Sequence, residues 1–399
     1  MLETLREYAL EELERRGQAI VVRARHAAYF VTLAELAETH IRGSDQQRWH
    51  ERLETEHDNL RAALLWSLTP AGDVRLGIRI AVALRRFWQV RGYMAEGRRR
   101  LEAFLARPDL SAAERADVLC ELGYLALWQG DSTVAPACWT ESLSLYQVIG
   151  DQRGTAESLC GLGYVAVARG DDATAHACFL ESQALFHALG KLARVAWTCY
   201  GLGRIAERQG DLTAARAGYE QGLAIFGVAG DTHGSGWMLI NLGVLALYQA
   251  DDERATERFQ ESLTTFQSVN DRRGLATALG SLGALARLRG EAAQAEALYA
   301  ESLARFRDLG DQRHCALVVA VLSELTHAPG EQGCAAEYVV QSHARVSDLP
   351  HPTEAARAVV KHMAPPGGDG EIGSSRTGRV SASVRAAVVQ SVRELTDGV

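Results

Sequence analysis

The sequence predicts an all-α fold, a right-handed α-solenoid of tandem antiparallel helical hairpins. Three observations predict it: a 40-residue self-similarity in five copies, Gly-Asp punctuation every 20 residues, and fixed columns of small and aromatic residues.

The self-similarity is direct. Leu122–Asp131 (LGYLALWQGD), Leu162–Asp171 (LGYVAVARGD), Leu202–Asp211 (LGRIAERQGD), Leu242–Asp251 (LGVLALYQAD) and Leu282–Glu291 (LGALARLRGE) recur at intervals of 40. A second block follows each, from CWTESLSLYQVIGD in the first copy to LYAESLARFRDLGD in the last. The spacing does not slip.

The punctuation marks helix ends. Gly130-Asp131, Gly150-Asp151, Gly210-Asp211 and Gly310-Asp311 stand between half-repeats. Glycine adopts the left-handed conformation that stops a helix, and aspartate accepts from the free N–H groups of the next one. About 16–18 residues lie between stops, roughly 25 Å of helix, so each repeat is helix A, a tight turn, then helix B.

The columns supply the packing. Ala116, Leu119, Leu122, Gly123 and Ala126 form one apolar stripe on helix A. Small residues recur at Gly123, Gly163, Gly203, Gly243 and Gly283, at Ala126 and its equivalents, and at Ala135, Ala175, Ala215, Ala255 and Ala295 of helix B. Aromatics recur four residues later, at Trp139, Phe179, Tyr219, Phe259 and Tyr299, and again at Tyr146, Phe186, Phe226, Phe266 and Phe306. One hairpin cannot bury such stripes alone, so stacking on neighbours must supply the core.

The flanks are less regular. Residues 1–74 read as a helical junction and 75–110 as a degenerate capping hairpin turning near Gly92. Five repeats occupy 111–311, and 312–363 read as a decayed closing repeat with Pro329-Gly330 in place of a clean turn. Residues 364–399 read as a Gly/Pro/Ser linker with a short terminal helix over Ser383–Leu395, too brief for a helix-turn-helix domain.

Composition excludes several classes. At 47% hydrophobic and 23% charged the chain has a globular balance. No apolar run is long enough for a membrane span and no basic-then-apolar leader opens the sequence, so a cytoplasmic location is expected. Seven cysteines without a C-x-x-C pattern are too few and too scattered for a disulfide scaffold or a zinc site; pairs such as Cys120 with Cys160 fall on repeat columns. Residues 111–311 carry 16 Lys/Arg against 25 Asp/Glu, which argues against nucleic acid on the repeats. The Arg98–Arg100 run reads as a solvated helix face.

No catalytic or cofactor chemistry stands out. The chain holds no G-x-x-x-x-G-K-[ST] phosphate loop and no H-E-x-x-H metal pair. Gly161–Ala166 and Gly201–Ala206 match G-x-G-x-x-A, but they lie in mid-helix, whereas that motif works between a strand and a helix. Acidic clusters such as Asp251-Asp252-Glu253 sit at helix starts, where carboxylates favour the dipole. The expectation is no enzyme, no cofactor and no metal.

The columns resemble the tetratricopeptide repeat. Its pattern of Leu-Gly, Ala, an aromatic and a small residue appears as Leu122-Gly123, Ala135, Trp139 and Ser142, and recurs in all five copies over about 112–311. The departure is length, 40 residues rather than 34. A second resemblance covers about 100 N-terminal residues: MLETLREYALEEL, then Arg25-His26 with Tyr29-Phe30, then Trp49 and ETEHDNLRAALLW. It is similar to the junction between ATPase and repeat arm in bacterial STAND-type transcriptional regulators, LuxR-type and AfsR-like. That resemblance implies a sensor arm without its ATPase and DNA-binding domain, supplied in trans or missing upstream.

In tetratricopeptide arrays helix A lines the concave face. The positions carried over here are Asp117, Tyr124 and Trp128; Glu157 and Tyr164; Trp197, Tyr200, Arg204, Glu207 and Arg208; and Trp237, Asn241 and Tyr248. Arg204 and Arg208, one turn apart beside aromatics, suit a carboxylate or phosphate. The plainer alternative makes Trp197 and Trp237 core residues. The expected function is a protein-interaction or effector-sensing scaffold that binds a protein, a peptide or a small effector. The alternative is an assembly module that self-associates through its repeats.

Overall fold

The computed structural model describes residues 2–326 and 382–396. These form eighteen α-helices and no strand. Residues 327–381, on which most of the expected closing repeat with Pro329-Gly330 and the Gly/Pro/Ser segment fall, lie outside the described residues. The chain divides into two compact units, residues 1–234 and 235–399.

In the first unit four helices precede the array: α1 (Leu2–Arg15), α2 (Ala19–His40), α3 (Gln46–Thr55) and α4 (His57–Ser67). Helices α5 (Val74–Arg91) and α6 (Met94–Leu105) form a hairpin whose first helix stops at Gly92, φ 81°. Three repeats follow as α7/α8 (Ala112–Trp128, Val134–Ile149), α9/α10 (Gln152–Arg169, Asp172–Ala188) and α11/α12 (Leu192–Arg208, Leu212–Ala229). Helix α13 (Thr232–Tyr248) begins in this unit.

The second unit carries the rest of α13, then α14 (Asp252–Val269), the pair α15/α16 (Arg272–Leu288, Ala292–Asp308), and α17 (Gln312–Thr326). Its last helix is α18 (Ala382–Thr396).

The helices start and stop as the punctuation predicts. Asp151 accepts from the backbone N–H groups of Arg153 and Gly154, and Asp171, Asp211, Asp251 and Asp271 cap their helices in the same manner. Asn270 takes the left-handed stop at φ 50°, where the other copies use glycine. Repeat three breaks the pattern: Lys191 stands at the cap of α11 and makes no side-chain cap bond.

The aromatic columns are the core. Trp139, Phe179, Tyr219, Phe259 and Tyr299 are all fully buried. The glycine columns exist to admit them. A Cβ on Gly163 would stand 2.7 Å from the Phe179 ring, and one on Gly201, in the next A helix, 2.3 Å from the same ring. Trp139, at Gly123 and Gly161, and Phe179 are therefore each pressed between two helix backbones. Ser182 ties B back to A by donating to the Ala156 carbonyl at 2.8 Å, and Ser262 and Ser302 repeat this bond to Gly236 and Ala276.

In the first unit consecutive A helices also pack on one another, α5 on α7, α7 on α9 and α9 on α11. They form a continuous layer. The N-terminal helices do not simply precede this layer. Helix α2 packs on α5, Glu38 pairs with Arg153 at the start of α9, and Gln46 donates to the Gly230 carbonyl at 2.9 Å. Arg86 of α5 makes two bonds to Asp231, 2.9 and 3.2 Å.

Candidate functional site: the inner face of the A helices

The A layer of the first unit presents a polar and aromatic seam instead of a plain apolar one. Tyr124 sits at its centre and is buried. Its hydroxyl donates to Glu157 of the next A helix at 2.9 Å and accepts from Arg194 of the one after at 2.6 Å. Arg194 also pairs with Glu157, and Arg85 of α5 with Glu121. Burial pushes the Tyr124 phenol well above its ordinary value. The Trp128 ring lies 5.6 Å from that of Tyr124.

The same geometry recurs one repeat on. Tyr164, the 40-residue equivalent of Tyr124, donates to the Trp197 carbonyl at 2.7 Å. Its ring meets Phe179 edge-on at 5.0 Å. In the third repeat Arg204 takes this position, donates to the Tyr200 hydroxyl at 3.0 Å and lies over its ring. The column thus reaches from one A helix to the next wherever it carries tyrosine.

Each remaining position suggested by the sequence has a definite place. Asp117 accepts from Tyr146 at 2.7 Å, and burial raises its carboxyl above the usual range. Glu207 accepts from Tyr219 at 2.8 Å. Arg208 points back to repeat two, bonding the Val167 carbonyl at 2.7 Å and pairing with Asp172. Arg204 and Arg208 are therefore both engaged by protein groups. Trp197 is packed edge-on against Phe226 at 5.3 Å.

In the second unit Trp237 packs against Phe266 at 5.3 Å, also edge-on, and Tyr248 is partly exposed. Asn241 is fully buried; it donates to the Trp237 carbonyl at 2.7 Å and accepts from Arg393 of α18 at 2.8 Å. The terminal helix docks on α15 through Val388, Val389, Val392 and Leu395, and the Leu395 side chain lies where a Cβ on Gly280 would point, 2.8 Å away. Arg385 adds a bidentate pair to Asp252 at 2.5 and 3.0 Å. In this unit the A-helix face already holds a segment of the same chain.

Sequence reasoning missed Arg42, His50, Arg85, Arg86, Arg194 and Asp231. One signal was available. Arg194 stands in a column that carries Gly154, Gly234 and Gly274 in other copies, where the glycine receives an aromatic ring. Arg194 instead lies over Phe186, its Cζ 5.5 Å from the ring centre. Arg85-Arg86 in the apolar run IAVALRRFWQV was a second. No such signal marked His50, which is fully buried with neither ring nitrogen bonded, its pKa held well below the ordinary value by burial and then by Arg91 and Arg86.

Among the described residues no group of three or more His, Cys, Asp and Glu is placed to hold a metal ion. Among them, too, no helix is long and apolar enough to cross a membrane.

Comparison with known proteins agrees with this architecture. A Mycobacterium tuberculosis protein described as a "putative HTH-type transcriptional regulator" is 36% identical over 162 residues, which is 38% of this chain and 18% of that protein. The chain thus spans under a fifth of the curated relatives it matches. The Rap conjugation gene regulator of plasmid pLS20, solved in complex with the Phr* peptide, superposes with TM-score 0.52 at 13% identity, over 82% of this chain and 97% of that one. A STAND protein with a tetratricopeptide repeat sensor from Pyrococcus horikoshii gives TM-score 0.47 at 11% identity, over 80% of this chain and 47% of that one. The fold is a helical solenoid of the tetratricopeptide type, and residues 193–268 match the family model described as tetratricopeptide repeat.

Proposed function

We propose that the chain is the sensing arm of a transcriptional regulator and takes a peptide or small effector on the A-helix layer of its first unit. One observation carries this reading. The packing columns hold from copy to copy, while the A-helix positions between them change chemistry: Tyr124, Tyr164 and Arg204 in one column, Asp117, Glu157, Trp197 and Trp237 in another. A scaffold that only had to stack would have no need of buried arginines and tyrosines on its inner face, because apolar side chains fill such a layer at lower desolvation cost. The 36% identity to a protein described as an HTH-type regulator supports the regulatory context. A bound effector would act by preferring one arrangement of the array over another.

Native mass spectrometry tests it. The purified chain, equilibrated with a peptide and metabolite extract of its host cells, is expected to carry a discrete adduct. Tyr124→Ala and Arg204→Ala, each checked to be folded by circular dichroism, are expected to weaken that adduct about tenfold or more, the size of one lost anchor of about 1.4 kcal/mol. A chain that retains nothing, or an adduct indifferent to both substitutions, contradicts the proposal.

A further inference from the structure

Three arginines from separate elements of the first unit lie within reach of one another's charge: Arg42 from the turn after α2, Arg85 from α5 and Arg194 from α11. The Arg85 and Arg194 guanidinium carbons lie 4.3 and 5.5 Å from the centre of the Tyr124 ring. Glu121 pairs with Arg85 and Glu157 with Arg194. Asp231, near Arg42, is already held by Arg86 through two bonds, and Glu38 pairs with Arg153. Three guanidiniums thus face two carboxylates, an excess of one positive charge.

Arg42 and Arg194 feel the excess; Arg85, for all its burial, is raised by the charge of Glu121. Burial draws Arg194 down to about 10, with Arg85 and Arg42 adding to the effect. Burial lowers Arg42 as well, and the charge of Arg85 works in the same direction. Two guanidinium donors, Arg42 Nη1 and Arg194 Nε, are buried with no acceptor from the protein. Arg194 occurs, moreover, in a column where the flanking copies carry Gly154 and Gly234.

We propose that Arg42, Arg85 and Arg194 hold the carboxylate of a ligand beside Tyr124. A carboxylate brings the single negative charge that balances the cluster and two oxygens for the two donors, in the planar geometry that guanidinium groups match. A phosphate dianion would overshoot that balance. Trp128, buried beside Tyr124, makes the surroundings of the cluster aromatic. The proposal rests on the reading of the A layer as the ligand surface and narrows it to one chemistry, shared by a peptide chain end and a free carboxylic acid.

Calorimetry on the full chain with four probes tests it: hippurate, its neutral amide hippuramide, benzoate and inorganic phosphate. Hippurate is expected to bind at least tenfold more tightly than hippuramide, and Arg42→Gln or Arg194→Gln to abolish that difference. Arg42 sits in a turn outside the repeats, so its variant stays informative if Arg194→Gln fails to fold. Hippurate ahead of benzoate assigns a peptide end, and parity assigns a free acid. Equal binding of acid and amide, tighter phosphate, binding unchanged in both variants, or no binding of any probe overturns the proposal. If extract-derived adducts still depend on Tyr124 in that case, the sensing role stands and only the carboxylate assignment falls.

Discussion

Replacing Phe179 by alanine is expected to destabilise the first unit by about 3–5 kcal/mol, the range for emptying a fully buried aromatic site. The ring is fully buried and pressed between the backbones of α9 and α11 at Gly163 and Gly201. It also meets Tyr164 edge-on at 5.0 Å. Glycine columns have no side chains with which to collapse into the hole, so the cavity persists and the cost lies toward the upper end. Filling the glycine from the other side is expected to hurt as well. Gly163→Val would place atoms inside the Phe179 ring contact, an overpacking worth about 1–3 kcal/mol. Urea denaturation followed by circular dichroism reads both. A Phe179→Ala loss below about 1 kcal/mol would mean that the aromatic column is not what joins successive hairpins.

Asp231→Ala is expected to cost a similar amount, about 3–5 kcal/mol for breaking a buried ion pair from one side. The carboxylate is fully buried and serves two ends of the first unit at once. It takes two bonds from Arg86, 145 residues earlier, and one from the backbone N–H of Gly234, where it caps α13 at 3.0 Å. Asp231→Asn is expected to keep the cap and lose most of the ion pair, so it falls between wild type and alanine. Thermal unfolding separates the three, and an asparagine variant as stable as wild type would show that the ion pair contributes little.

These two sites differ in how visible they were beforehand. Phe179 repeats every 40 residues with its glycine partners, so its burial and its neighbours follow from spacing alone. The helix stops were equally plain, because Asp151 or Asp171 as a cap needs only local chemistry. The partnership of Asp231 with Arg86 was not visible. It joins α5 to the turn before α13, and no periodicity relates the two. The same holds for Gln46 with Gly230 and for Glu38 with Arg153, through which the N-terminal helices fold back on the repeats.

The inner face was legible by position and less so by role. Tyr124 and Glu157 were named from the A-helix positions, and the structure brings them together. Arg204 and Arg208 were paired in the sequence reading because they lie one turn apart. In the structure they engage different groups, Tyr200 on one side and Asp172 with Val167 on the other. The arginines that do converge, Arg42, Arg85 and Arg194, come from three elements, and convergence across 152 residues leaves no local trace. Asn241 was read as a donor toward a ligand, and its oxygen instead accepts from Arg393 of the terminal helix. The apolar stripe Val388, Val389, Val392 and Leu395 carried the signal for that docking, since a helix with such a stripe needs a surface to cover it.

Hydrogen–deuterium exchange with and without the retained ligand tests most directly where the chain does its work. If the A layer of the first unit is the sensing surface, ligand slows exchange in peptides from residues 112–128, 152–169 and 192–208 and leaves those from the B helices 172–188 and 212–229 unchanged. Protection confined to the B helices, or none in the first unit while the ligand stays bound, would contradict the account.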